Sequence, residues 1–159
     1  MADTKPFQII VAEDNTGDIQ LVREALKAQR VDVEMVVISD GAEVIRYFRA
    51  LDLNPHSRVP DLVLLDMHLP KHDGEEVLNA LRSSERIAQT PVVVMTGSTI
   101  SEFEEVAQKH AALYYFKKPS TWEGFAQLGN VVRDILENEK ARREADQAGT
   151  NQSAAEGAA

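Results

Sequence analysis

The stretch PDLVLLDMHLPKHDG, residues 60–74, decides the fold. Leu62, Val63, Leu64 and Leu65 form a short apolar run that delivers a carboxylate, Asp66, ahead of a loop carrying Pro70 and Gly74. A run of that length and content suits a buried strand. Four similar runs flank it, at Phe7–Ala12, Val33–Ile38, Val92–Met95 and Leu113–Phe116. Between them the apolar period lengthens to that of a helix, with Ile19, Val22 and Leu26 on one face, then Val44, Ile45 and Phe48, then Val77, Leu78 and Leu81, then Phe103, Val106 and Ala107. A fifth helix follows the last strand, with a stripe of Trp122, Phe125, Leu128, Val132, Ile135 and Leu136. Strand then helix, five times over, predicts a parallel sheet covered by helices on both faces, because parallel strands need long crossover connections. The expected fold is a three-layer α/β sandwich.

Local signals agree with that spacing. Thr16 is placed to cap the first helix, and Asp40-Gly41 and Asp73-Gly74 open the second and third. Residues 51–60 form a longer polar connection with two prolines, and no internal repeat is visible. The chain divides into an N-terminal lead over 1–6, one folded domain over 7–144 and a tail over 145–159, whose sequence lacks an apolar period and is expected to be disordered.

Bulk composition narrows the function. At 159 residues, 43% hydrophobic and 27% charged, the chain suits one soluble domain with a substantial core. The absence of cysteine excludes disulfides, thiolate catalysis and Cys-based metal centres. Neither a signal peptide nor an apolar stretch long enough to span a bilayer is evident, so a cytoplasmic protein without membrane contact is expected. A formal charge of −9 argues against binding a phosphate backbone, which leaves proteins rather than nucleic acid as partners.

Ligands of open α/β sheets sit beyond the carboxyl ends of the strands. There the first strand ends in Glu13-Asp14, the third in Asp66, the fourth in Thr96-Gly97-Ser98, and the fifth in Lys117-Lys118-Pro119. Brought together, three carboxylates, a hydroxyl and an ammonium would share one small pocket. Crowded carboxylates either take up protons or bind a cation, and an all-oxygen set suits Mg²⁺. With Lys118 and the Thr96 hydroxyl holding phosphoryl oxygens, Asp66 would serve as a nucleophile. Taken singly, each residue has an ordinary explanation: the acids as solvated or helix-capping charge, Thr96 as a satisfied strand end, Tyr115 as core. His56, His68, His72 and His110 have no metal-ligand spacing on one helix, and no G-x-x-x-x-G-K-[ST] phosphate loop occurs.

The set Glu13-Asp14, Asp66, Thr96 and Lys118-Pro119, in this order and on these strand ends, resembles the receiver domain of two-component response regulators, over roughly Phe7 to Leu136. The stretches VAEDNTGDIQLV and LLDMHLPKHDGEEVL, with the long connection before Pro60, look most like the single-domain regulators paired with bacterial phytochrome histidine kinases. The resemblance implies a flavodoxin-like (CheY-like) five-stranded sheet in order 2-1-3-4-5 with five helices. It implies that Asp66 accepts phosphate from a kinase phosphohistidine, and that Asp14 and Asp66 bind Mg²⁺ with Glu13 acting through water and the His68 main-chain carbonyl as a further ligand. Thr96 and Lys118 would contact the phosphoryl group, and Gly97 would let it approach the backbone. Tyr115 would be the aromatic switch that turns inward when Thr96 is drawn to phosphate. A cis Lys118–Pro119 bond is also implied, and His68 departs from the Asn common at its place. The output would be a changed set of protein contacts with a downstream target, and the fourth helix, fifth strand and fifth helix are the surface expected to dock a partner or a second copy. Two rival readings are a phosphohydrolase with an aspartyl nucleophile and a pseudo-receiver that binds partners without phosphorylation. The first wants an acid where His68 stands, and the second normally lacks part of the set.

Overall fold

A computed structural model describes residues 5–97, 100–110 and 113–156, with the side chains at 100–103 and 151–156 outside the description. Five strands, β1 (Phe7–Ala12), β2 (Val33–Ile38), β3 (Leu62–Asp66), β4 (Val92–Thr96) and β5 (Leu113–Lys117), alternate with five helices. These are α1 (Thr16–Ala28), α2 (Gly41–Leu53), α3 (Gly74–Arg82), α4 (Ile100–Lys109) and α5 (Trp122–Glu156). All pairings are parallel, in the order β2-β1-β3-β4-β5. Sequence and structure agree on every strand to within one residue.

The sheet separates two apolar layers. Ile10, Ala12, Val63, Leu65, Val92 and Val94 point to the face covered by α2 and α3, while Ile9, Val11, Leu62, Leu64, Val93 and Met95 meet α1 and α5. Successive strand side chains face opposite sides, so a central strand buried on both must be apolar throughout. β3 and β4 are accordingly buried at all five positions each and apolar up to their last residues, Asp66 and Thr96, which reach the site. Each fully buried Leu, Ile or Val contributes about 1.5 to 3 kcal/mol relative to exposure.

Helix starts follow capping chemistry. Asp40 and Asp73 accept hydrogen bonds from the Glu43 and Glu76 amides, as the sequence predicts. At α1 the cap is Asn15, whose side chain accepts from the Asp18 amide; Thr16, the expected cap, is instead the first helical residue. Both side chains can cap a helix, and Asn is the stronger choice of the two. Two glycines mark close approaches. A Cβ on Gly129 would lie 2.3 Å from the Ala25 carbonyl oxygen, so glycine lets α5 press against α1. One on Gly41 would lie 2.2 Å from the His72 carbonyl oxygen, where the β3–α3 loop crosses the start of α2.

Two expectations about α5 are corrected. Trp122, assigned to its apolar stripe, is the first helical residue and 42% exposed, whereas Phe125, Leu128, Val132, Ile135 and Leu136 are buried. The segment from 145, expected to be disordered, continues α5 to Glu156. Alanine, glutamate, glutamine and arginine favour helix even without an apolar face, and a formed helix extends cheaply by one hydrogen bond per residue. Just before this segment, the Arg143 guanidinium ties α5 to Asp61, at 2.7 Å, below the start of β3.

Candidate functional site

Strand register builds the site. Ala12 pairs with Leu65, so Glu13 follows β1 level with Asp66 at the end of β3. Asp66 pairs with Met95 and Thr96 with Lys117, which brings Thr96 and Lys118 to the same edge. Lys118 leaves the ladder with its amide still donating to the Thr96 carbonyl at 3.0 Å. No peptide bond among the described residues is cis, so the expected cis Lys118–Pro119 bond is trans. Trans is the intrinsically favoured form of an X–Pro bond, and the Lys118 ammonium reaches the pocket with it.

The Lys118 Nζ stands at the centre. It lies 2.7 Å from Glu13 Oε2, 2.8 Å from Asp18 Oδ2 and 3.2 Å from Asp66 Oδ2. Burial works against the ammonium, but the hydrogen bonds to Asp18 and Glu13 and the charge of Asp66 outweigh it and raise its pKa above the ordinary lysine value. Asp66 Oδ1 accepts from the His68 amide at 3.0 Å, and Glu13 Oε1 accepts from the Asn15 amide at 3.1 Å. Asp66 and Thr96 are buried and Asp14 is exposed at the rim. Among the described residues, nothing would lie within 4 Å of a Cβ on Gly97. Tyr115 is half-buried on β5. Ser98 lies outside the described residues.

Glu13, Asp14 and Asp66 can each offer a carboxylate oxygen with all three within 4.8 Å of one another. Like charges at that spacing repel by roughly 3 to 4 kcal/mol per pair at an effective dielectric of about 20. One lysine cannot neutralise three of them, and a hard, oxygen-seeking divalent cation fits the donor set. Sequence reasoning missed Asp18, which enters the pocket from the first turn of α1. The available signal was its place four residues beyond Asp14, one turn into a helix that starts at the site.

Glu13 is fully buried, and burial pushes its pKa up to about 7; the Lys118 ammonium and the Asn15 amide pull it down, while Asp66 pushes it up. The sign of the resulting pH dependence follows from where the proton is held. Between the reference value of 4.5 and about 7, the folded metal-free protein keeps a proton on Glu13 that the unfolded chain has lost. The stabilisation is therefore complete below about 4.5 and disappears as pH rises through 7. Urea midpoints of the metal-free protein at pH 5 and pH 8 are expected to show this fall, and Glu13→Gln, which cannot titrate, is expected to remove that part of it. An equal fall in both proteins would refute the assignment.

A doubly wound parallel sheet whose carboxyl edge gathers three acids, a buried threonine and a lysine has the architecture of a receiver domain, and sequence comparison agrees. The family model of the response regulator receiver domain matches residues 9–128, and the chain belongs to that family. Receiver domains bind Mg²⁺ at an acidic site, and the cluster of Glu13, Asp14 and Asp66 fits such a cation.

Within the family, the similar proteins include phytochrome response regulators and regulators of other processes. Response regulator Rcp1 of Synechocystis sp. is 37% identical over 134 residues, covering 83% of this chain and 90% of that protein. The probable methanogenesis regulatory protein FilR2 of Methanothrix harundinacea is 34% identical, covering 83% of each. Among solved structures, the phosphorylated cyanobacterial phytochrome response regulator RcpA superposes with a TM-score of 0.72 at 31% identity, over 83% of this chain and 94% of RcpA. The Mn²⁺-bound form of Rcp1 gives 0.69 at 28% identity, over 80% of this chain and 91% of that one. The protein is a receiver-domain response regulator homologous to Rcp1 and RcpA, and a histidine kinase is its implied partner.

Proposed function

We propose that Asp66 is the phosphoacceptor and that the donor is the phosphohistidine of a phytochrome-type kinase. The observation that carries the reading is the buried Asp66 carboxylate with the Lys118 Nζ at 3.2 Å and the three-acid cluster around it. The Asp66 carboxylate attacks phosphorus, an O–P bond forms, and the P–N bond to the kinase imidazole breaks with its electron pair going to nitrogen. The His68 amide holds one Asp66 oxygen and so fixes the carboxylate plane. Lys118 neutralises charge on the transferred group, and the Thr96 hydroxyl donates to another phosphoryl oxygen. Bound Mg²⁺ supplies positive charge that lets a phosphoryl group approach a carboxylate, and Glu13, Asp14, Asp66 and the His68 carbonyl would hold it.

The chain then acts as a switch in the cytoplasm rather than as a metabolic enzyme, catalysing only its own phosphotransfer and dephosphorylation. Thr96 moves to the phosphoryl group and Tyr115 turns into the space it leaves. Driving such an equilibrium from 1:99 to 99:1 needs about 5.5 kcal/mol, within reach of several charge-assisted contacts. The α4–β5–α5 surface, where Tyr114 and Trp122 are each more than 40% exposed, carries the signal to a downstream protein or a second copy.

Phosphotransfer profiling tests the reading. Labelled phytochrome kinase is expected to pass its phosphate to this protein faster than other labelled kinases of the same cell do. A faster transfer from a non-phytochrome kinase sinks the pairing, and no label from any kinase or small phosphodonor sinks the acceptor role. Sedimentation of both forms tests the output surface: if neither self-association nor target binding responds to substitutions at Tyr114 or Trp122, that surface is not the output.

A further inference from the structure

The Lys118 ammonium has three N–H groups and, in this structure, three carboxylate acceptors: Glu13, Asp18 and Asp66. Two of these belong to the three-acid cluster that fits a divalent cation; Asp18 does not. Metal and phosphoryl group therefore compete with Lys118 for Glu13 and Asp66 but leave Asp18 alone. Asp18 is also held from its own side. Its amide donates to the Asn15 side chain at 2.9 Å in the cap of α1, and α1 is packed on α5 through Ala25 and Gly129. The lysine, by contrast, hangs on a flexible four-carbon stem whose rotamers must be restrained for the charge to stay in one place. Its side chain is 18% exposed and that of Asp18 26%, so the pair lines the pocket wall, open on one side to water.

We infer that Asp18 is a positioning residue that anchors the Lys118 ammonium over the pocket while Glu13 and Asp66 turn to metal and phosphoryl group. The inference rests on the phosphotransfer proposed above. It gives Asp18 a role other than that of an ordinary first-turn acid at a helix N-terminus, which would stabilise α1 without reference to Lys118.

A mutant cycle separates these roles. The rate of labelling by phosphoramidate at saturating Mg²⁺ is measured for wild type, Asp18→Ala, Asp18→Asn, Lys118→Ala and the double variant Asp18→Ala with Lys118→Ala. Asp18→Ala is expected to slow labelling about tenfold, within the coupling range of residues in contact. Asp18→Asn is expected to lose only about twofold, because its amide oxygen still accepts from Nζ. In the Lys118→Ala background, Asp18→Ala is expected to cost nothing further. Calorimetry is expected to find Mg²⁺ affinity within about twofold of wild type in Asp18→Ala, since Asp18 lies outside the metal cluster. In protein labelled with ¹⁵N at lysine Nζ, the Mg²⁺-loaded wild type is expected to show a protected Lys118 ammonium signal that Asp18→Ala loses to solvent exchange. Labelling of Asp18→Ala at the wild-type rate or faster, the same slowing with and without Lys118, or an unchanged ammonium signal would each overturn the anchor. If the wild type itself takes no label, the phosphoacceptor reading fails and the anchor with it; a labelled wild type with an indifferent Asp18 defeats the anchor alone.

Discussion

Asp66→Asn is expected to take up no phosphate from a phosphohistidine kinase or a small phosphodonor, while the fold persists. Asparagine has nearly the same shape as aspartate and can keep the hydrogen bond from the His68 amide, so β3 and its loop have no steric reason to move. What it lacks is a nucleophilic carboxylate oxygen. The substitution also removes one of the three clustered acids, so Mg²⁺ affinity is expected to fall as well. Label on wild type should be released by hydroxylamine, as an acyl phosphate is, and label on the variant should be absent at equal Mg²⁺ saturation. Hydroxylamine-resistant label persisting to the same extent in Asp66→Asn would place the modified residue elsewhere and end the receiver mechanism proposed here. Circular dichroism and a urea titration on the same samples separate lost chemistry from lost structure.

Phe125→Ala is expected to lower stability by about 3 to 5 kcal/mol, the range for emptying a fully buried aromatic site. Phe125 is 1% exposed, at the second turn of α5, and packs edge-on against Phe116 of β5 with ring centres 6.0 Å apart and planes at 72°. It joins α5 to the sheet beneath the site, among Val93, Met95 and Leu128. Because α1 and α5 are already in tight contact at Gly129, the helices cannot simply move in to fill the void. For a domain of this size the loss corresponds to a fall in Tm of roughly 10 to 15 °C. A fall of only 2 or 3 °C would mean that α5 contributes far less to the core than its buried face indicates.

The strands were legible because their run length and composition are local properties. Leu62–Leu65 and Val92–Met95 are apolar at every position since both faces of a central strand are covered, and no tertiary information is needed to recognise such runs. The acids at the ends of β1 and β3 were legible for a related reason: a carboxylate directly after a buried strand emerges at a known edge of a parallel sheet. Errors arose where local chemistry offered two acceptable answers. Asn15 and Thr16 can both cap α1, X–Pro bonds are only weakly biased between isomers, and a polar, alanine-rich tail reads as coil by hydropathy and as helix by propensity. At α5 the helix already formed by the buried stripe, with Arg143 tied to Asp61, carries it onward.

By itself the sequence determined the five-fold alternation, the parallel sheet, and which acids, hydroxyl and lysine stand at the strand ends of its carboxyl edge, because these follow from periodicity and strand direction. Tertiary structure alone decided how the charges pair. Lys118 is 100 residues from Asp18, 105 from Glu13 and 52 from Asp66 along the chain, and no local pattern couples positions so far apart. Their partnership depends on the register of β1 with β3 and of β4 with β5, and on the first turn of α1 standing over the strand ends. A side-chain charge is local information, whereas its distance to another charge is a property of the packed fold.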